Sequence, residues 1–196
     1  MKKNYSEAGQ GRSMSTRAMA YCALLAAISV VLARLIIPMP NASTRFSIEA
    51  VPIFLAGMLF GPMAGGLVGF SADLVGCLFS GYGYNPIFCL PPILYGVFGG
   101  VFRHFIGKNV SILRLIIAFL PPIVLGSIFY QSAALAFVYN SKGSFNVSFI
   151  YFLSTRSVQF IITMVLDVLV IFSLFRARIF DRLGIWPPVR RTKDDK

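Results

Sequence analysis

Five ionisable side chains stand where apolar residues dominate: Arg34, Glu49, Asp73, Arg156 and Asp167. Asp73 is typical, set in "SADLVGCLFSGYGYNP" ahead of a glycine-tyrosine loop. A carboxylate can accept two parallel N–H bonds from a heterocycle edge, and a guanidinium can grip a carboxylate with two N–H groups. Gln131 and Gln159 could add amide contacts, and Arg45, Ser47 and Asn85 further polar groups near the loops. Phe46, Tyr82 and Tyr84 could stack on rings. Aromatic walls with a few convergent polar groups suit a flat, polar organic ligand. The competing reading is an Asp73–Arg156 ion pair that fixes helix register.

Other chemistries lack their residues. No GxxxxGK[ST] loop occurs, so any ATP-driven step needs another subunit. There is no HExxH pair, and Cys22, Cys77 and Cys89 show no metal-ligand spacing. No cofactor is expected. Ser71 in "GFSAD" faintly resembles a membrane serine-protease nucleophile, but the single histidine, His104, is predicted at the cytoplasmic side while Ser71 is mid-span, out of hydrogen-bond reach.

These residues must be positioned by helices in lipid. The chain is 57% hydrophobic and only 13% charged, with mean hydropathy +0.75. Soluble domains average about 45–50% apolar and about 25% charged. Apolar runs and their punctuation predict six spans, at about 17–37, 47–60, 62–79, 86–106, 111–139 and 147–175. The second is short and should form a tight hairpin with the third through "FGPM". The expected fold class is an all-α integral membrane protein, a compact bundle of six transmembrane helices. It consists of a tail at 1–16, a membrane domain at 17–176 and a basic tail at 177–196. The polar N-terminus leads into a full-length span and reads as retained rather than as a cleavable signal.

Fourteen of the eighteen basic residues fall on the side of the two termini, which the positive-inside rule makes cytoplasmic. The net charge of +11 is divided among patches between spans, an arrangement that argues against nucleic-acid binding. Loops 38–46, 80–85 and 140–147 then face outward. On this topology Glu49, Asp73 and Arg156 lie at similar depth in the outer half of the bundle, and Asp167 lies in the inner half. A charge at a helix centre costs roughly 2.5–3.5 kcal/mol to insert, so each should face the bundle interior or a wet cavity. Gly65 and Gly69 form a GxxxG pair whose face continues to Asp73, turning that residue inward. Ala23 and Ala27 make a second small-xxx-small pair, suited to packing or to docking another membrane protein.

The stretch "RFSIEAVPIFLAGMLFGPMAGGLVGFSADLVG" (45–76) resembles the substrate-binding S components of energy-coupling factor (ECF) vitamin transporters, most closely the folate-type branch. The matching elements are Arg45-Phe46-Ser47, the 52–62 hairpin, Asp73, the 82–86 loop and Leu94-Tyr95-Gly96. The chain departs from the usual text at Ser47-Ile48-Glu49-Ala50 and in "GYGYNPIFCLPP". The resemblance implies a vitamin-capturing transport subunit, not an enzyme, in a prokaryotic plasma membrane. Its partners would be folate, a transmembrane coupling subunit contacted through Ala23 and Ala27, and two cytoplasmic ATPases. Asp73 or Glu49 would take the pterin edge, and Arg45 or Arg156 the glutamate tail. Three alternatives remain: an S component for another vitamin, a proton-coupled secondary transporter using Asp73 or Asp167, and a membrane assembly factor without a ligand.

Overall fold

The computed structural model describes residues 15–34, 37–38, 45–46, 48–79, 85–107, 110–139 and 145–182. Helix α1 (Thr16–Leu32) starts at Ser15, whose hydroxyl accepts a hydrogen bond from the Ala18 amide at 3.2 Å. That bond satisfies one of the donors left over in a first helical turn. α1 stops five residues short of the expected end. Ile37–Pro38 (β1) instead pairs antiparallel with Arg45–Phe46 (β2). Proline lacks an N–H and biases the residue before it away from helix, so an apolar run ending in "PMP" leaves the helical conformation early.

α2 (Ala50–Phe60) and α3 (Pro62–Leu78) form the expected hairpin, joined by Gly61 alone at φ +107°. A side chain would be strained at that angle. α2 is buried on every side from Ala50 to Leu59. A helix that is apolar all round belongs in a core, and α2 is the central post of this one. The next span opens with a 3-10 turn at Pro86–Cys89, continues as α4 (Leu90–Val101), breaks at Phe102 and ends as α5 (Arg103–Ile106).

α2, α3 and α4 touch backbone to backbone. A methyl group at Gly57 or Gly65 would run into the Gly96 carbonyl, one at Gly96 into the Gly65 carbonyl, and one at Gly100 into Pro62. In lipid, such close approach is what lets van der Waals packing hold helices together. The 65–69 glycine pair therefore packs α3 on α4, as its spacing suggested.

α6 (Ile112–Pro122) runs through Pro121 and Pro122 into a π-helical segment, Ile123–Tyr130, and then α7 (Gln131–Tyr139). The long α8 (Phe145–Arg176) and a short α9 (Ile179–Arg182) follow. Two stretches, Ile112–Val138 and Phe145–Arg176, are long and apolar enough to cross a membrane, whereas the other apolar helices are shorter. Large apolar side chains nonetheless cover the exterior of nearly every span, among them Met63, Leu67 and Leu78 on α3 and Val158, Ile161 and Val165 on α8. Water-facing monomers rarely expose continuous apolar surface of this extent. The molecule is a helical membrane bundle.

Candidate functional site

α8 supplies the spine of the site. Its buried residues Ser148, Phe152, Arg156, Gln159, Thr163 and Asp167 recur at intervals of four, four, three, four and four. Such spacing keeps them on one face. The lipid side of the same helix is carried by Val158, Ile161, Val165 and Leu169. A polar column thus runs down the inside of an otherwise apolar helix.

Arg156, 8% exposed, heads the well-defined part of this column. Its Nη2 donates to Gln131 Oε1 at 2.8 Å and its Nε to the Ser127 carbonyl at 3.4 Å. The guanidinium carbon lies 5.0 Å from the Phe160 ring centroid, one turn deeper on α8, within cation–π range. Ser127 lies in the π segment that follows the Pro121–Pro122 pair, and proline has no N–H to give a helix. The Ser127 hydroxyl, fully buried, lies 3.0 Å from the hydroxyl of Tyr95 on α4. Tyr95 in turn packs its ring on Phe119, which stacks on Phe54 of the central post at 4.0 Å between centroids.

Asp167 is 2% exposed and Thr163 above it is also buried, its hydroxyl donating to the Gln159 carbonyl at 3.0 Å. Both Asp167 and Glu49 act electrostatically on Tyr95, and Glu49 also acts on Asp167. A buried hydroxyl anchors the start of α2, since Ser29 of α1 donates to the Glu49 backbone carbonyl at 2.8 Å. The Glu49 side chain itself is exposed.

Asp73 stands apart from this column. It is half-buried on α3, with the Cys89 thiol as a hydrogen-bond partner. Arg156 is held by Ser127 and Gln131, so the two residues whose pairing the sequence left open have different partners. Among the described residues, Asp73 Oδ2 and Asp167 Oδ1 are buried carboxylate oxygens without a hydrogen bond. Asn85 uses its side-chain oxygen to accept from the Ile87 amide at 3.1 Å, capping the 3-10 turn. Arg45 and Phe46 place their backbone in β2, which lies against α8. Their side chains, and all of Ser47, Tyr82 and Tyr84, lie outside the described residues.

The structure therefore brings Gln131, Arg156 and Gln159 together and adds Ser127 and Tyr95, which sequence reasoning missed. Each has a signal nearby: "LPPI" occurs at 90–93 and 120–123, and in both spans the polar residue lies within a few positions of the proline pair. The three cysteines are free. His104 is exposed, as expected of a surface histidine. No cluster of three or more His, Cys, Asp or Glu suited to a metal ion occurs among the described residues. On the outer face of α1, Ala23 and Ala27 are exposed.

Comparison with known proteins gives this arrangement a context. The chain is 32% identical over 101 residues to the folate transporter FolT of Clostridium novyi (strain NT), a match that takes in 51% of this chain and 57% of that relative's length. A crystal structure of FolT bound with folic acid has the same fold, with a TM-score of 0.68 at 28% identity over 82% of this chain and 93% of that one. The family model for the S component of ECF-type riboflavin transporters matches residues 13–176. Spanning helices, hairpin and inward polar column all lie within that match, and the chain belongs to the family of ECF-type riboflavin transporter S components.

Proposed function

We propose that this chain captures folate from outside the cell and delivers it through an ATP-driven coupling module. The observation that carries the reading is the buried guanidinium of Arg156, held ready by Ser127 and Gln131 at the head of an inward polar column. A guanidinium can grip a carboxylate with two parallel N–H groups. Folate offers one in its glutamate tail, together with a flat heterocycle and an aromatic linker that suit Tyr82, Tyr84 and Phe46. Asp73, Glu49 and Arg45 remain further candidates for contact, with Ser47, Asn85 and Gln159.

The similarity to FolT supports folate, and the family description favours riboflavin as the second reading. Riboflavin is uncharged and has no carboxylate for Arg156 to receive. The chemistry of the column therefore ranks folate first.

The protein works as a multi-pass subunit of a prokaryotic plasma membrane, with both termini in the cytoplasm by the placement of its basic residues. It hydrolyses nothing itself: a transmembrane coupling subunit docks on α1, and two cytoplasmic ATPases supply the energy. Exposed Ala23 and Ala27 give that helix a flat strip on which a second helix could pack closely. Reconstitution with a coupling module tests this. ATP-dependent uptake of labelled folate is expected, and Ala27→Trp should reduce uptake at least roughly tenfold, because a bulky group replaces the small residue at a helix contact. Folate binding by the Ala27→Trp chain alone should be unchanged. Uptake driven by a pH gradient without ATP would instead identify a secondary transporter.

A further inference from the structure

We infer that Asp167 is the floor of the ligand site and receives the paired N–H donors of a 2-amino-4-oxopyrimidine edge. The inference rests on the folate reading above and assigns the pterin edge, for which Asp73 and Glu49 were the expected partners, to a third carboxylate. Neither of those two residues is buried. Asp167 is 2% exposed, and its Oδ1 accepts no hydrogen bond. An acceptor shut away from water without a donor is unfavourable in itself and demands an occupant or a function.

Position supports the same assignment. Asp167 follows Arg156, Gln159 and Thr163 on the inward face of α8, and it is in electrostatic reach of Tyr95 and Glu49. Eleven residues separate Arg156 from Asp167, about 16 Å along a helix at 1.5 Å per residue. An extended molecule with a heteroaromatic head and an anionic tail has about that reach. The head then lies deep and the tail remains toward the outside, gripped by Arg156.

The edge chemistry is selective. A pterin presents its ring N–H beside an exocyclic amine, so two adjacent donors meet the two oxygens of one carboxylate. An isoalloxazine edge presents a single N–H between two carbonyls, and those oxygens repel a carboxylate. Sites built to pair with particular donors reject analogues lacking them strongly, because the buried partner is left unmatched.

The test uses the full chain in mild detergent, titrated with folate and with a folate analogue whose 2-amino group is replaced by methyl. The wild-type chain should bind the analogue roughly 10- to 100-fold more weakly, the range expected for one hydrogen bond to a charged group. Asp167→Asn should lose a similar factor for folate and should separate folate from the analogue by less than about threefold. Wild-type discrimination retained by Asp167→Asn would overturn the assignment. If that variant is not recovered folded, the wild-type comparison decides alone: equal affinities overturn the assignment, and a tenfold or greater preference for folate sustains it. A wild-type chain that binds no folate overturns the folate reading itself, a result distinct from binding without edge discrimination.

Discussion

Arg156→Met weakens folate binding by roughly 100-fold, corresponding to about 3 kcal/mol, while the bundle stays folded. Truncating one partner of a buried, charge-assisted contact costs about 2–5 kcal/mol, much of it from the unmatched charge on the other partner. Here that partner is the ligand carboxylate, so the loss appears in affinity. Stability should respond differently. Arg156 donates to two neutral groups, the Gln131 amide oxygen and the Ser127 carbonyl, and exchanging a buried ion for an apolar side chain of similar length is often neutral or stabilising. Thermal unfolding of the ligand-free variant in detergent should therefore match or exceed that of the wild type. Arg156→Lys should fall between the two in affinity, since an ammonium keeps the charge and loses the planar fork. Equal folate affinity in all three proteins would remove Arg156 from the site.

The second large effect is on folding. Gly96→Ala should lower stability by at least about 3 kcal/mol, the top of the usual range for overpacking. The added methyl would meet the Gly65 carbonyl and the Gly66 amide, which are backbone atoms of another helix and cannot rotate away. α3 and α4 would have to separate, loosening the packing around α2. Gly76→Ala on the neighbouring α3 is the control, because a methyl there meets nothing within 4 Å. Glycine inside a helix is less favourable than alanine by about 0.5–1 kcal/mol, so this variant should be unchanged or slightly more stable. Thermal unfolding followed by size-exclusion profiles separates the two outcomes. A Gly96→Ala protein as stable as Gly76→Ala would contradict the backbone contact.

Much of the architecture was legible because lipid imposes simple rules. The hairpin at "FGPM" and the inward GxxxG face follow from residue type and spacing, and both are present. The column of Arg156, Gln159 and Thr163 was legible for the same reason, since spacings of three and four fix a face whatever the partners are. Ties between helices were less legible: Ser29 of α1 donates to the Glu49 backbone carbonyl, a contact that no hydropathy run foretells. The π segment was hidden as well. "LPPI" reads as a kink, and only the packed structure reveals the π segment after it, in which the Ser127 carbonyl accepts from Arg156. Asp167 appeared in sequence as an inner-half charge, and burial is what separates it from Asp73.

The most direct test of the account is a competition titration on the purified chain. Labelled folate is bound in mild detergent and challenged with unlabelled folate or riboflavin. An inward column headed by Arg156 and closed by Asp167 predicts full displacement by folate and no displacement by riboflavin at roughly 100-fold excess, a gap of about 2.7 kcal/mol or more. Riboflavin binding with no affinity for folate would contradict it.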